Sequence, residues 1–125
     1  MMSGKEKREM LDTELQLLQH YKHIAVVGLS ANPSRPSYSV TRYMQIAGYD
    51  IIPINPRYAG TEILGKHVYA SLTEAKEAGE PIEIVDVFRR SEDTLPVADE
   101  AIKVGAKAVW LQLGIANREA SEKVR

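Results

Sequence analysis

Residues 24–30 have the sequence IAVVGLS, a short run of apolar and β-branched residues interrupted by Gly28. A run of this length and composition predicts a buried strand over residues 24–27. The pairs Asn32-Pro33 and Arg35-Pro36 lie between this strand and Ser37, and they predict a loop. Ser37 has a side chain suited to a helix N-cap, so the stretch predicts a strand, a loop and the start of a helix.

Along the whole chain, continuous apolar runs alternate with segments whose apolar residues recur at helical spacing. Further strands are predicted over residues 49–54, 82–88 and 107–112. Helices are predicted over residues 12–21, 37–47 and 71–79, from Ser91 or Leu95 to Val104, and from Asn117 onward. Ser71 and Glu74 have the spacing of a capping box, which supports the third of these helices. Residues 57–70 are predicted to be irregular, with a short extended piece near Val68.

Strands that alternate with helices and are almost continuously apolar predict a parallel sheet covered on both faces. Because crossover connections are right-handed, we expect a single α/β domain with a Rossmann-like, doubly wound parallel sheet in three αβα layers. Ligands of such sheets bind beyond the carboxyl ends of the strands, where the strand order reverses. A ligand site is therefore expected at residues 28–39, 55–60, 88–91 and 112–117.

Length and composition limit the class of protein further. The chain has 125 residues, 17 acidic and 16 basic side chains and no cysteine. One domain is expected, without the basic excess of a nucleic-acid-binding protein and without disulfides or thiol catalysis. No apolar run approaches the roughly 18 residues of a membrane helix, and the N-terminus lacks the features of a signal peptide. We expect a cytoplasmic protein with no nucleic-acid or membrane partner, a flexible tail over residues 1–10 and a domain over residues 11–125.

The first loop contains several groups that suit a phosphate. Gly28 lets backbone approach a ligand, and a helix N-terminus offers N–H groups and partial positive charge. Ser30, Ser37 and Ser39 add hydroxyl groups and Arg35 adds a cation. The alternative is structural: Gly28 ends a strand and Ser37 caps a helix. Because only one glycine of the dinucleotide fingerprint is present, the loop alone leaves both interpretations open.

The residue types at the end of the second predicted strand distinguish between the nucleotides that the site could bind. NAD-binding domains usually place an acid there to hold the ribose hydroxyls. In this chain no acid follows Asp50 within the strand, and the next charged residue is Arg57. A cation suits a nucleotide with an additional phosphate on its ribose, either NADP or coenzyme A. The alternative is that Arg57 is a solvated side chain after a turn.

The third strand ends with Phe88, Arg89 and Arg90, which could meet an alkyl group and a phosphate or carboxylate. The alternative places Phe88 in the core and one arginine in solvent, because adjacent strand residues point to opposite faces. Asp86 lies within an apolar strand, and we interpret it as a structural acceptor for loop N–H groups.

Catalytic and metal-binding patterns are scarce. His20 and His23 precede the first strand, near the edge of the sheet opposite the expected site. His67 lies in the irregular stretch, and no serine occurs in a nucleophile elbow. The sequence therefore predicts neither a catalytic residue nor a metal site.

An ordered set of segments along the chain matches a known group of proteins. They are IAVVGLS at 24–30, PSRPSY at 33–38, GY at 48–49, INPR at 54–57, VDVFR at 85–89 and VWLQLG at 109–114. With these segments the chain resembles the small stand-alone CoA-binding proteins, which are similar to the CoA-binding domain of the succinyl-CoA synthetase alpha subunit. The likeness covers about residues 11–125. It also implies a native chain that continues past Arg125, because most stand-alone relatives do so.

The resemblance implies a position for each part of the nucleotide. It places residues 28–30 and the helix start at Ser37 around the phosphates, and residues 56–57 at the adenosine end. Residues 88–89 match the edge crossed by the nucleotide or its pantetheine arm, and residues 111–114 match the last binding turn. Together with the loop side chains, the predicted CoA-binding residues are Gly28, Leu29, Ser30, Arg35, Ser37, Ser39, Pro56, Arg57, Phe88, Arg89, Gln112 and Gly114.

The leading hypothesis is a non-catalytic module that binds coenzyme A or an acyl-CoA. In the synthetase subunit, the turn that matches residues 111–113 carries an acid and hydroxyl groups that this chain lacks, so the resemblance does not carry catalysis with it. Two alternatives stay open. One is an NADP-linked oxidoreductase or a ligase component, and the other is a nucleotide-sensing interaction domain.

Overall fold

A computed structural model of the chain describes residues 20–88 and 94–112. Its elements are β1 (His23–Val27), α1 (Pro36–Ile46), β2 (Asp50–Ile54), a 3-10 helix (Pro56–Tyr58), β3 (Glu62–Ile63), β4 (Lys66–His67), α2 (Leu72–Glu77), β5 (Ile84–Val87), α3 (Thr94–Lys103) and β6 (Ala108–Leu111). The predictions for the tail at 1–10, for most of the helix at 12–21 and for the helix from Asn117 lie outside the described residues.

The main sheet has four parallel strands in the order β2-β1-β5-β6. The chain leaves β1 toward β2 on one side and continues from there to β5 on the other side of β1. The strand order therefore reverses between β1 and β5, as in a doubly wound fold. The predicted Rossmann-like α/β fold is confirmed.

Alternating side chains of the strands form a core on each face of the sheet. On one face, Ile24 and Val26 of β1 pack in a cluster with Met44 of α1. On the other face, Ala25 and Val27 belong to a second cluster, with residues of α2 and α3. Helices thus cover both faces, which explains why the strands are apolar without interruption. None of the helices in the described residues is long and apolar enough to cross a membrane.

One predicted helix cap is confirmed and one is wrong. Ser71 caps α2, and its hydroxyl oxygen accepts the Glu74 N–H at 3.1 Å. Ser37 does not cap α1, because α1 begins one residue earlier, at Pro36, and its N-cap residue is Arg35. Proline suits the first helical position because the N–H that it lacks would have no partner there. Ser37 therefore lies inside the first turn of α1, and its hydroxyl oxygen accepts a hydrogen bond from the preceding loop.

The stretch at 57–70 is more regular than the sequence predicts. The short 3-10 helix opens it, and β3 and β4 then form an antiparallel hairpin. Its two turn residues, Leu64 and Gly65, both have positive φ, at 54° and 77°. Such turns usually contain asparagine, aspartate or glycine at the first of these positions, so leucine concealed the turn. Val68 is fully buried, and the next residue, Tyr69, forms a β-bridge with Ile54. Both observations agree with the short extended piece expected near Val68.

Charged side chains connect the amino ends of the strands. The carboxylate of Asp50, at the start of β2, accepts hydrogen bonds from His23 Nδ1 at 2.9 Å and from Lys66 Nζ at 2.8 Å. Glu83, just before β5, accepts the backbone N–H groups of Lys22 and His23, both at 3.0 Å. His23 therefore lies at the amino edge of the sheet, as the sequence predicts, and contributes to its architecture.

We expect the free energy of unfolding to fall below about pH 4, as Asp50 and Glu83 become protonated. Burial raises the pKa of Asp50, but hydrogen bonds from Lys66 and His23 outweigh burial, so this pKa lies below its ordinary value of 3.8. Backbone hydrogen bonds from Lys22 and His23 hold the pKa of Glu83 below 4.5. A carboxyl group with a lowered folded pKa stabilises the protein above its unfolded pKa, and this stabilisation is lost as pH falls through the folded pKa.

Urea denaturation between about pH 6 and about pH 3 measures this loss. Asp50→Asn is expected to lower stability near neutral pH and to make the acid decline shallower, by up to about 1 kcal/mol for a partly exposed group. Glu62→Gln, at an exposed acid on β3, is the matched control and should retain the full decline. An Asp50→Asn variant with the same decline as the wild type would contradict the prediction.

Candidate functional site

The carboxyl ends of the four parallel strands bring the predicted segments together at one edge. Gly28 follows β1, and its N–H donates to the Ile54 carbonyl at 2.8 Å. Phe88 follows β5 and donates to the Val27 carbonyl at 2.8 Å, and Gln112 follows β6 and donates to Val87 at 2.9 Å. Main-chain hydrogen bonds therefore hold four parts of the chain side by side at this edge. They are the β1 loop (residues 28–35), the β2 loop (residues 55–58), Phe88 and Gln112.

Gly28 and Leu29 fix the direction in which the β1 loop leaves the sheet. Gly28 has a φ of +88°, which residues with a β-carbon rarely adopt. Leu29 is fully buried in the core cluster on the α1 face. Its side chain thus anchors the loop, and its main-chain carbonyl accepts a hydrogen bond from Asn55 Nδ2 at 3.0 Å.

The β1 loop is braced by its own side chains. The Ser37 hydroxyl oxygen accepts the Ser30 N–H at 3.1 Å, and the Ser30 hydroxyl oxygen accepts the Asn32 N–H at 3.0 Å. The Ser34 N–H donates to Asn32 Oδ1 at 3.0 Å. Three amide groups of the loop are therefore hydrogen-bonded to side chains of the loop itself or of the first turn of α1. Ser30 and Ser37 are both buried, so bracing is the role that their contacts show, and a contact with phosphate stays a prediction.

The remaining polar side chains of this region lie nearer to solvent. Arg35 is half-buried and Ser39 is exposed, with its hydroxyl donating to the Pro36 carbonyl at 3.2 Å. Ser39 also borders a shallow cleft of about 390 Å³ along α1, lined by Pro33, Tyr38, Ser39, Arg42, Tyr43 and Ile46. Arg35 and Ser39 therefore lie at the outer end of the loop, where α1 begins.

The β2 loop presents a cation where an NAD-binding domain presents an acid. Pro56 and Arg57 are exposed, and the Arg57 guanidinium carbon lies 5.6 Å from the centre of the Tyr58 ring. No acidic residue occurs between Asp50 and Glu62. The loop therefore offers no carboxylate to a ribose diol.

Asn55 is a residue of the edge that the sequence analysis did not single out. It is 6% exposed, its Nδ2 donates to the Leu29 carbonyl at 3.0 Å, and its Oδ1 accepts the Arg57 N–H at 3.0 Å. It thereby links the β1 loop to the β2 loop. An asparagine before proline at the end of a buried strand is typical of a side chain that bonds the backbone two residues on, and this signal points to the bond with Arg57. The bond to Leu29 spans 26 residues and leaves no local signal.

The remaining predicted residues fall in three different places. Phe88 is 4% exposed and packs in the same core cluster as Leu29, which agrees with the structural alternative for its ring. Gln112 is half-buried at the edge, next to the end of β5. Arg89 and Gly114 lie outside the described residues.

Within residues 20–88 and 94–112, no group of three or more histidine, aspartate or glutamate side chains is arranged to hold a metal ion. At the amino edge, the Asp50 carboxylate is hydrogen-bonded to His23 of β1 and to Lys66 of β4.

Loops that meet in this way beyond the carboxyl ends of a doubly wound sheet define a Rossmann-like domain with its candidate site at the switch point. Residues 22–125 match the CoA binding domain family, and the chain belongs to that family.

Known proteins are similar to this chain over most of its length. It is 46% identical over 110 residues to the uncharacterized protein YneT of Bacillus subtilis (strain 168), a match that spans 88% of this chain and 78% of YneT. The structure of cell-free ID.343 from Thermus thermophilus is similar with a TM-score of 0.72 and 34% identity, over 90% of this chain and 86% of that one. RSP, a Rex-family repressor solved in complex with beta-NADH, shares the fold at 19% identity and a TM-score of 0.59, over 81% of this chain and 52% of RSP.

Proposed function

We propose that the protein binds coenzyme A, free or acylated, at the carboxyl edge of its sheet and catalyses no reaction there. Membership of the CoA binding domain family supports the choice of ligand. The structural observation that carries the proposal is the β2 loop, in which Arg57 is exposed and no acid is present. CoA carries a phosphate on its adenosine ribose, so a cation suits it and an acid would repel it.

The β1 loop is the proposed position of the diphosphate. Its amides are mostly engaged, and the Ser34 hydroxyl donates to Asn32 Oδ1 at 2.8 Å. Attraction for the diphosphate therefore comes from Arg35, from the partial positive charge at the start of α1 and from the hydroxyl hydrogen of Ser30. Because the loop is already braced, little conformational entropy is lost when a ligand settles on it. The proposal assigns Arg57 to the ribose phosphate, with Arg35 and Arg89 as further cations.

The absence of a reaction is proposed from the residues that form the edge. Residues 28–36 and 55–58 contain no histidine, cysteine, aspartate or glutamate. These residue types are the commonest general acids and bases, which act within hydrogen-bonding reach of the reacting atom. We therefore propose a binding module of the cytoplasm that carries or senses its nucleotide, with no nucleic-acid or membrane partner.

Two other functions make different predictions about the ligand. The fold that the chain shares with RSP suits a nucleotide sensor that responds to NADH, and an oxidoreductase would retain NADP. Mass spectrometry of the ligand retained through purification distinguishes these nucleotides from CoA by mass. Thermal unfolding with CoA, NADH and NADP added separately gives a second measurement. CoA alone should raise the Tm; NADP recovered from the protein, together with no effect of CoA, would refute the proposal.

Arg57→Ala tests the assignment of the ribose phosphate. Wild-type protein is expected to prefer CoA over dephospho-CoA by about 1 kcal/mol, a several-fold ratio of Kd, because the contact is exposed. The ratio should fall toward one in Arg57→Ala and should shrink in wild type as salt is raised. Isothermal titration calorimetry with both ligands measures it.

Arg42→Ala provides the matched control, since Arg42 is an exposed arginine on α1 outside both loops. It should keep the wild-type ratio. Equal affinity of wild type for the two ligands would remove the basis for a phosphate-binding arginine, and a full preference in Arg57→Ala would move that role to another residue.

A further inference from the structure

Asn55 makes four hydrogen bonds to its surroundings, two from its backbone and two from its side chain. Its backbone N–H donates to the Tyr69 carbonyl at 2.9 Å and its carbonyl accepts the Tyr58 N–H at 3.1 Å. Its side chain adds the bonds to the Leu29 carbonyl and to the Arg57 N–H, both at 3.0 Å. The four bonds reach the β1 loop, the 3-10 helix and Tyr69, which follows the hairpin, so Asn55 joins these three segments.

The chemistry of both side-chain bonds favours an amide at this position. The Leu29 carbonyl needs a donor and the Arg57 N–H needs an acceptor, and asparagine supplies both from one short side chain. Aspartate has a similar shape, but an ionised carboxylate cannot donate and would face the Leu29 carbonyl oxygen. In a buried setting that loss leaves a polar group unsatisfied. Serine can accept from an N–H two residues on, but it is too short to span to the other loop.

The position of Asn55 gives these bonds a consequence for the ligand. It directly follows β2, where the acid of an NAD-binding domain would hold the ribose hydroxyls. Here the side-chain oxygen is occupied by the Arg57 N–H and is buried, so it offers no acceptor to a ribose diol. The same bond fixes the start of the 3-10 helix and therefore the backbone from which the Arg57 side chain extends.

We propose that Asn55 is a positioning residue that sets the nucleotide preference of the site. By holding the β2 loop against the β1 loop, it fixes the distance between Arg57 and the segment that receives the diphosphate. This distance decides whether one nucleotide can reach both segments with its ribose phosphate on Arg57. The inference rests on the proposed function, because it concerns the same site and the same ligand.

The experiment compares CoA and dephospho-CoA by calorimetry on wild type, Asn55→Ser, Arg57→Ala and the double variant. Asn55→Ser keeps a side chain able to accept the Arg57 N–H and removes the bond between the loops. We expect its preference for CoA to fall from about fivefold to less than about twofold. In the Arg57→Ala background, Asn55→Ser should change the preference no further, because two residues that act through one contact are not additive.

Gln45→Ser is the matched control. Gln45 Nε2 donates to the Leu64 carbonyl at 3.0 Å and so ties the end of α1 to the hairpin turn, away from the carboxyl edge. Its replacement also removes one bond between a side-chain amide and a distant carbonyl. A purely structural effect would lower the Tm in both variants and leave the ratio of Kd values unchanged in both. The expected result is a lower Tm in both and a changed ratio in Asn55→Ser alone.

Each result separates the inference from the function on which it rests. A wild type that binds neither ligand would refute the proposed function. A wild type that prefers CoA, with a folded Asn55→Ser that keeps the full preference, would refute the role of Asn55 and leave the function intact. If Asn55→Ser does not fold, Asn55→Asp replaces it, since it keeps the shape and the acceptor for Arg57. A full preference in that variant would equally overturn the inference.

Discussion

Gly28→Val is expected to weaken CoA binding by at least about tenfold, or about 1.4 kcal/mol, in a protein that still folds. Gly28 has a φ of +88°, and a β-branched side chain there strains the backbone by about 1–3 kcal/mol. To relieve this strain, the β1 loop must leave the sheet in another direction. The new side chain would also stand between the main chain of the loop and the proposed ligand. Calorimetry with CoA and urea denaturation measure the two effects.

Gly48→Val separates loss of affinity from loss of stability. Gly48 also has a positive φ, +104°, and a β-carbon added to it meets nothing within 4 Å. It lies after α1, just before the amino end of β2, away from the candidate site. This variant should therefore lose comparable stability and bind CoA with wild-type affinity. Wild-type affinity in a folded Gly28→Val would show that the β1 loop is not the site.

Leu29→Ala is expected to lower the free energy of unfolding by about 2–5 kcal/mol. The Leu29 side chain is fully buried among Ile24, Val26 and other residues of the core cluster on the α1 face. Its removal leaves a cavity directly beneath the β1 loop, next to the main-chain carbonyl of residue 29 that accepts from Asn55. We therefore expect the CoA affinity of the folded fraction to fall as well. Urea denaturation gives the stability, and calorimetry well below the denaturation midpoint gives the affinity.

Leu72→Ala removes the same atoms from the opposite face of the sheet. Leu72 is fully buried in α2 and belongs to the second core cluster. Its loss should cost stability in the same range and leave CoA affinity unchanged. A destabilisation of Leu29→Ala below about 1 kcal/mol would contradict the role of Leu29 as the anchor of the loop.

Elements whose signals are local and periodic could be predicted from the sequence. The apolar run at residues 24–27 and the capping pair Ser71 and Glu74 each specify their own conformation. The hairpin around Leu64 could not be predicted, because its two-residue turn lacks the usual residue types and its strands have two residues each. The sequence mispredicts the start of α1, because Ser37 has a side chain suited to an N-cap. In the structure its hydroxyl oxygen accepts the Ser30 N–H of the preceding loop instead.

The edge that contains the candidate site could be predicted more fully than the contacts within it. Parallel strands bring their carboxyl ends to one edge, so the segments after Val27, Ile54, Val87 and Leu111 had to be neighbours. Which polar groups face each other there depends on distances between loops that are far apart in sequence. The bond from Asn55 to Leu29 is of this kind.

The bracing of the β1 loop by its own serine and asparagine side chains has a consequence for the rates of binding. At the proposed site, a nucleotide would meet a surface that is already formed, so binding would need no rearrangement of the loop. Association should then be governed by diffusion and by the charge of the exposed arginine, and it should differ little among variants that keep the loop intact. Differences in affinity among such variants should lie in how long the nucleotide stays bound.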